Sequence, residues 1–153
     1  MRSRFLAVRF ILFILAISSA SAATPSPNLR ADHSRFRWQV VGIKDGDTLA
    51  VNLPGLPPSL NPVAVRLRNV DAPESGGRAK CASERKLAER ATRFTRDAIA
   101  AAKTIEFGQP SWDKYGGRVD ADVWVDDELL AKQLIAAGLA RRYDGGKRAG
   151  WCG

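Results

Sequence analysis

The sequence predicts a mainly β domain with two helices. Three observations support this fold class: five short segments have strand character, an amphipathic helical segment follows the third, and another helix follows the fifth. Five short strands with an inserted helix are typical of a small closed barrel. We therefore expect the commonest solution of that kind, a five-stranded OB-fold barrel with two packed α-helices.

The first three strands are predicted over residues 36–43, 48–53 and 63–70. The third alternates most clearly, because Val63, Val65 and Leu67 lie on one face while Arg66 and Arg68 lie on the other. Residues 54–62 contain four prolines and a glycine, so we expect a loop there.

The remaining strands are predicted over residues 103–107 and 119–125, the latter from strict alternation of apolar and mostly charged residues. A helix over residues 83–102 carries apolar residues at spacings of three and four, with Ser83 as its expected N-cap. A second helix over residues 129–137 is expected to end at Gly138.

The N-terminus has the pattern of a secretory signal peptide. Three arginines precede an apolar run over residues 10–17, and Ala20-Ser21-Ala22 supplies a cleavage pattern after Ala22. The alternative is an uncleaved membrane anchor, but the run is much shorter than the roughly 20 residues that span a bilayer. We expect a signal peptide at 1–22, a flexible lead-in at 23–35 and one domain at 36–153, exported to the periplasm or the extracellular space.

Charge and cysteine content agree with an exported domain. The chain carries a net charge of +8, of which three positive charges lie in the signal peptide, so the exported part is basic. A basic exported domain suits a polyanion, whether nucleic acid, anionic lipid or cell-wall polymer. Its two cysteines, Cys81 and Cys152, predict one disulfide; the alternative is two unpaired thiols.

Three short motifs carry the candidate chemistry. Asp45-Gly46-Asp47-Thr48 lies between two strands, where an ordinary hairpin turn is the simpler interpretation. The second motif runs from Arg66 on a strand to Asp71-Ala72-Pro73-Glu74 in the loop that leaves it. The third, Asp113-Lys114-Tyr115-Gly116-Gly117-Arg118, taken alone also fits a glycine turn with solvated charges. Together they offer carboxylates for a hard cation and guanidiniums for a phosphate.

In their order along the chain, these motifs resemble the staphylococcal nuclease-like, or thermonuclease, family. The resemblance runs from about residue 38 to residue 142 and includes Gly138-Leu139-Ala140. It implies an OB-type barrel with packed helices, and calcium-dependent cleavage of DNA and RNA that leaves 3′-phosphate ends. The one histidine, His33, lies in the lead-in, so a histidine-based mechanism is not expected.

The resemblance implies a role for each matching residue. Asp47 and Asp71 resemble carboxylate ligands of Ca²⁺, and the backbone carbonyl of Ala72 resembles a third ligand. Glu74 resembles the residue that orients or deprotonates the attacking water. Arg66 and Arg118 resemble the two phosphate clamps. Asp45 resembles the family's outer-shell acid. Lys114 and Tyr115 resemble contacts to the terminal phosphate or sugar of the nucleotide.

Two departures from the family pattern affect these expectations. Gly117 displaces Arg118 by one position, and we expect the glycine to absorb the insertion as a bulge. The chain also ends soon after Ala140, where the family pattern continues into another helix. We expect a Cys81–Cys152 bridge, with Trp151 packed nearby, to replace the missing packing. Tyr143 is expected either to flank a nucleotide pocket or to cap the tail.

The sequence therefore predicts an exported, Ca²⁺-dependent nuclease that acts on DNA and RNA with little sequence preference. Single strands should be cut best, no membrane is involved after signal removal, and a monomer is expected. The alternative is a non-catalytic OB-fold module that binds nucleic acid. An envelope structural protein would explain the charge but none of the motifs.

Overall fold

The structure, a computed structural model, describes residues 34–153. The predicted signal peptide and most of the predicted lead-in, including His33, lie outside the described residues. Within residues 34–153, no helix combines the length and apolar character that crossing a membrane requires.

One mixed sheet forms most of the molecule. In chain order, the strands of the described residues are β1 (Arg35–Phe36), β2 (Gln39–Asp45), β3 (Thr48–Asn52), β4 (Val63–Leu67), β5 (Val70–Asp71), β6 (Ile105–Trp112), β7 (Arg118–Val125), β8 (Glu128–Leu129) and β9 (Arg141–Arg142). Five of them are long, namely β2, β3, β4, β6 and β7, and the other four have two residues each. Hydrogen bonding gives the order β1-β6-β7-β4-β3-β2, with β8 beside β7 and a separate β5–β9 pair.

The predicted fold class is confirmed: the domain is an OB-fold-like barrel with packed helices. The described part of the sheet differs from the prediction in one respect, because hydrogen bonds do not close it and β1 and β2 form its two ends. All neighbours are antiparallel except β4 and β7, which run parallel with Ala64 opposite Arg118 and Arg66 opposite Asp120. This parallel pair places Arg66, which begins the second motif, and Arg118, which ends the third, on neighbouring strands.

The core fills the inner side of the curved sheet. Alternation puts every second residue of β4 and β7 inside, as the sequence pattern predicted. The largest buried side chains are Phe107, Leu49, Leu67, Leu130 and Leu134. Complete burial of such a side chain stabilises the fold by roughly 1.5–3 kcal/mol.

The helix α1 (Ala82–Ala101) covers one side of the barrel and packs mainly on β2. Its buried positions are Glu84, Ala88, Ala91 and Thr95. Ser83 is not the N-cap, because the Sγ atom of Cys81 accepts the hydrogen bond from the amide of Glu84 at 3.4 Å. The small side chains on this face let the β2–β3 turn approach the helix closely.

The C-terminal segment returns to the barrel and is held at two points. After α2 (Leu130–Ala136), Gly138 ends the helix with a φ of 67° and β9 pairs antiparallel with β5, with Arg141 opposite Asp71. Further on, Cys152 forms the predicted disulfide with Cys81 at the start of α1. Strand pairing thus attaches the C-terminal segment at the start of the Asp71–Glu74 loop, and the disulfide attaches it again a few residues after that loop.

Candidate functional site

The first motif is a hairpin turn that also delivers a buried carboxylate. Asp45 pairs with Thr48 across the turn, and Thr48 lies opposite Arg66 on the next strand. The carbonyl of Asp47 accepts a hydrogen bond from the amide of Leu67 at 2.9 Å, which ties the turn to the end of β4. The predicted hairpin turn is confirmed, and it also carries Asp47 into a buried position beside β4.

Asp47 and Asp71 converge on the guanidinium of Arg66. The Nη2 atom of Arg66 lies 3.3 Å from Oδ2 of Asp47 and 3.6 Å from Oδ1 of Asp71. Both carboxylates are more than nine-tenths buried. The amide of Ala72 also donates to Oδ2 of Asp47, at 3.3 Å. Residues far apart in sequence thus form one cluster of two acids and a cation.

One oxygen of Asp71 has no hydrogen-bond partner. Its Oδ2 atom accepts from the indole of Trp151 at 3.4 Å, whereas its Oδ1 atom is buried without a hydrogen bond. Arg148 places Nε 3.1 Å from this Oδ1 atom, but not in hydrogen-bonding geometry. This buried acidic oxygen therefore lies beside two guanidiniums, those of Arg66 and Arg148, without a hydrogen bond from either.

Glu74 lies between two arginines at the mouth of the site. Its carboxylate contacts Arg148 at 3.0 Å and Arg78 at 3.0 Å, and it is about one-third exposed. The loop behind it is held by Glu84, whose buried carboxylate accepts from the amides of Glu74 at 3.4 Å and Lys80 at 2.7 Å. Glu84 therefore positions the backbone that carries Glu74.

Asp45 supports the site from behind Asp47. Its Oδ1 atom accepts from the amide of Asp47 at 3.2 Å, and its Oδ2 atom lies 3.4 Å from Arg78. Burial, followed by repulsion from the charge of Asp47, raises the pKa of Asp45 to about 6. The carboxyl group of Asp45 therefore adds negative potential at the site when it is ionised, and its ion-pair partner is Arg78 and not Arg66.

Arg118 reaches the same region despite the inserted glycine. Gly116 and Gly117 both adopt positive φ values, 68° and 91°, so the turn takes up the additional residue before β7 begins. The guanidinium of Arg118 pairs with Asp113 at 3.2 Å, while its Nε atom is buried without a hydrogen-bond partner. The two glycines thus accommodate the insertion within the turn, and Arg118 lines the cavity that Asp47 and Glu74 also line.

Two cavities meet at this cluster. The smaller, of about 130 Å³, is lined by Asp45, Asp47, Ala72 and Glu74 together with arginines. The larger, of about 540 Å³, is lined by Lys114, Tyr115 and Tyr143 among others. Tyr143 also donates from its hydroxyl to the carbonyl of Gly146 at 2.9 Å, so it both flanks the cavity and orders the tail. The volume of the larger cavity lies in the range of ordinary small-molecule sites.

The residues around Asp71 fit a hard divalent cation. Asp47, Asp71 and the carbonyl of Ala72 offer oxygen donors, and Oδ1 of Asp71 lacks a hydrogen bond. Another group of potential ligands, Cys81, Glu84 and Cys152, does not fit a metal. Both sulfurs are in the disulfide, and both oxygens of Glu84 accept backbone hydrogen bonds.

Sequence reasoning missed Arg148, Arg78 and Glu84. Arg148 comes from the glycine-rich tail and contacts Asp71, and Arg78 contacts Glu74. The expected bridge to Cys152 was the main signal that the tail returns here, and Trp151, expected beside that bridge, also contacts Asp71. Glu84 follows the N-cap Cys81 by three residues, which is the spacing of a capping box and could have been recognised.

Comparison with known proteins identifies the family. The OB-fold-like barrel gathers carboxylates and guanidiniums at one cavity, and these groups are possible ligands for a cation and for a phosphate. The family model described as staphylococcal nuclease homologue matches residues 64–149, and the chain belongs to that family. A search of curated proteins found no match. Membership indicates a nuclease-like hydrolase that binds nucleic acid, in a family that is typically metal dependent.

Proposed function

We propose that this protein is an exported Ca²⁺-dependent nuclease that hydrolyses the phosphodiester bonds of DNA and RNA with little sequence preference, leaving 3′-phosphate ends. The observation that carries the proposal is the convergence of Asp47 and Asp71 on Arg66, at a cavity wall that also contains Glu74. Asp47, Glu74 and Arg66 line this small cavity, and their charges match those of a divalent cation and a phosphate.

Asp47, Asp71 and the carbonyl of Ala72 are the residues that would hold Ca²⁺. When bound, the ion would supply positive charge beside the phosphate and so stabilise the additional negative charge of the transition state. Ion pairing with Arg66 orients the two carboxylates in the absence of the ion.

Glu74, which lines the smaller cavity, would act on the attacking water. It would accept a proton from the attacking water as the new P–O bond forms, and the bond from phosphorus to the 5′ oxygen would break. The 5′ oxygen would leave with a proton from solvent, so the phosphate stays on the 3′ end. Arg66 and Arg118 would bind the non-bridging oxygens, and the loss of one such donor typically costs ~10²–10³ in rate.

The larger cavity supports the expected breadth of substrate. Its walls carry cationic and aromatic side chains, among them Lys114, whose Nζ atom lies 4.8 Å from the ring centre of Tyr115. Tyr115 is 80% exposed, so its ring is available for stacking on a base of any identity. Contacts to phosphate and stacking carry little sequence information, and a flexible single strand reaches this site most easily.

A digestion assay tests the proposal. Plasmid, heat-denatured DNA and RNA are incubated with the protein in Ca²⁺ or in chelator, beside Glu74→Gln and Arg66→Ala. We expect Ca²⁺-dependent digestion that each substitution reduces at least ~10²-fold. Product ends should resist polymerase extension until a phosphatase removes the 3′-phosphate.

Matched variants outside the site control for general effects of charge. Glu128→Gln removes an exposed acid on β8, and Arg37→Ala removes an exposed arginine paired with Glu106. Both should digest normally. Retardation of nucleic acid in a gel without digestion in Ca²⁺ would refute the nuclease and establish the non-catalytic binding module. Recovery of a chain that begins at Ala23 from the periplasm or medium would support export.

A further inference from the structure

We propose that Arg148, in the C-terminal tail (residues 143–153), is a third phosphate-binding guanidinium of this site, and that the Cys81–Cys152 disulfide delivers it there. The inference deepens the proposed function, on which it rests for the identity of the ligand as a nucleic-acid backbone. The family model reaches residue 149, but the motifs carried over in the sequence analysis end at about residue 142, so they do not supply this residue.

The position of Arg148 is shared with the two expected phosphate clamps. Three arginines, Arg66, Arg118 and Arg148, line both cavities, and every other described residue lines at most one of them. A strand that lies in the larger cavity and presents a phosphate to the acids of the smaller one must pass between these three guanidiniums. Three fixed cations at a junction form a binding site for an anion.

Two carboxylates orient the guanidinium of Arg148. Its Nε atom lies 3.1 Å from Asp71 and its Nη1 atom donates to Glu74 at 3.0 Å. The side chain is nevertheless 38% exposed, so a ligand in the cavity can reach it. Two different nitrogen atoms of the guanidinium therefore hold it in place. The single nitrogen of a lysine ammonium group could not reproduce this geometry.

The tail depends on a few tethers for its position. Arg141 stacks over Trp151, 3.8 Å from the ring centre, and donates to the carbonyl of Gly150 at 2.9 Å. Trp151 in turn donates to Asp71. Most tail residues are exposed and none belongs to the buried core cluster, so apolar burial does not hold Arg148. We infer that the disulfide to Cys81 keeps it at the site.

The test measures binding and cleavage separately. Binding of a short fluorescein-labelled single strand is followed in chelator over a range of salt, and cleavage of the same strand is followed in Ca²⁺. The proteins compared are wild type, Arg148→Ala, Arg148→Lys, Lys147→Ala and the double variant Cys81→Ser/Cys152→Ser. Lys147 is the adjacent exposed cation and lines neither cavity.

Arg148→Ala should weaken binding about tenfold and lower the slope of log K against log salt by about 0.7, the value for one lost contact to a single strand. In Ca²⁺ its kcat/KM should fall ~10²-fold. The double serine variant should reproduce both effects although it retains Arg148. Arg148→Lys should keep the salt slope but lose most of the rate, and Lys147→Ala should change neither quantity.

Other outcomes would overturn the inference. Unchanged affinity and salt slope in Arg148→Ala would show that the guanidinium does not bind the strand. A higher kcat/KM in this variant would show that Arg148 blocks the site instead. If wild type never digests the strand but Arg148→Ala still weakens binding, the proposed nuclease function fails while the phosphate contact stands. Circular dichroism confirms that each variant is folded at the assay temperature.

Discussion

The backbone amide of Glu74 donates a hydrogen bond to the buried carboxylate of Glu84, at 3.4 Å. Glu84 is only 3% exposed and accepts a second bond from the amide of Lys80. Glu84, at the start of α1, thus holds the loop that carries Glu74 at the mouth of the cavity. The orientation of Glu74 depends on a helix that contributes no side chain to the cavity lining.

Replacing Glu84 should damage both stability and activity. Glu84→Ala removes the acceptor of two part-buried amides, and a hydrogen bond to a charged group contributes about 1.5–3 kcal/mol. We expect the free energy of unfolding, measured by urea titration, to fall by about that amount or more, and kcat/KM to fall at least tenfold. Glu84→Gln keeps one acceptor oxygen and should show a smaller loss of each. Normal activity in Glu84→Ala would show that the loop is held by other contacts.

Gly46 is required by the close approach of the β2–β3 turn to α1. A Cβ atom placed on Gly46 would lie 2.6 Å from the Cβ of Ala91, and the hydroxyl of Thr95 donates to the carbonyl of Gly46 at 2.6 Å. Gly46→Ala should therefore lower the free energy of unfolding by about 1–3 kcal/mol. Because Asp47 is the next residue, nuclease activity should fall as well.

A double-mutant cycle checks the cause of this effect. Ala91→Gly removes the methyl group that a side chain at position 46 would meet, although glycine itself costs about 1 kcal/mol within a helix. Gly46→Ala should cost less in the Ala91→Gly background than in wild type, with a coupling energy of about 0.5 kcal/mol or more, as expected of residues in contact. Strict additivity would argue against the steric explanation.

The disulfide should stabilise the domain appreciably. It joins residues 71 positions apart, and in the chain-entropy model a loop of that length contributes about 4 kcal/mol. Cys81→Ser/Cys152→Ser should lower the urea midpoint accordingly, while the serine introduced at position 81 retains an oxygen that can cap α1. Reducing agent should lower the thermal midpoint of wild type and leave the double variant unchanged. An unaltered wild-type midpoint would refute the stabilising role.

Calcium should stabilise the folded protein through Asp47 and Asp71. A ligand that binds only the native state adds about 2.7 kcal/mol at a concentration one hundred times its Kd. We expect Ca²⁺ to raise the thermal midpoint of wild type but not that of Asp47→Asn or Asp71→Asn. Asp122→Asn, on β7, should respond like wild type. The prediction fails if Ca²⁺ shifts none of these midpoints.

Asp126 provides a pH-dependent contribution that is separate from the candidate site. The amide of Thr104, and then that of Lys103, donates to its carboxylate and lowers its pKa below the usual 3.8. A lowered pKa means that this stabilisation is present above about pH 4 and is lost as the pH falls through the pKa of the folded state.

Asp126→Asn isolates the contribution of this charge. Asparagine keeps the acceptor oxygen and tolerates the positive φ of 47°, so the backbone should not change. The variant should be less stable than wild type at pH 7, and the difference in thermal midpoint should disappear in strong acid. Nuclease activity at pH 7 should be unaffected. A difference that persists at low pH would point to packing instead of charge.

Much of the barrel could be predicted because alternation is a local property. The predicted strand at 63–70 is correct as far as Leu67 but then turns, since Asn69 adopts a φ of 57° and separates β4 from β5. The predicted strand at 103–107 continues in the structure as far as Trp112. Cys81 replaced Ser83 as the N-cap, because either side chain can accept the capping bond and position alone decides between them.

The chain by itself determined the fold class, the family and the identities of the motif residues, since these depend on periodicity and on short local patterns. Tertiary structure alone decided that Arg66 joins Asp47 to Asp71, that Glu84 holds the loop of Glu74 and that Arg148 enters from the tail. Those contacts join residues that are mostly distant in sequence, and they form only when strand pairing and the disulfide close the loops between them. Loop closure depends on the whole fold, so no local pattern in the sequence records it.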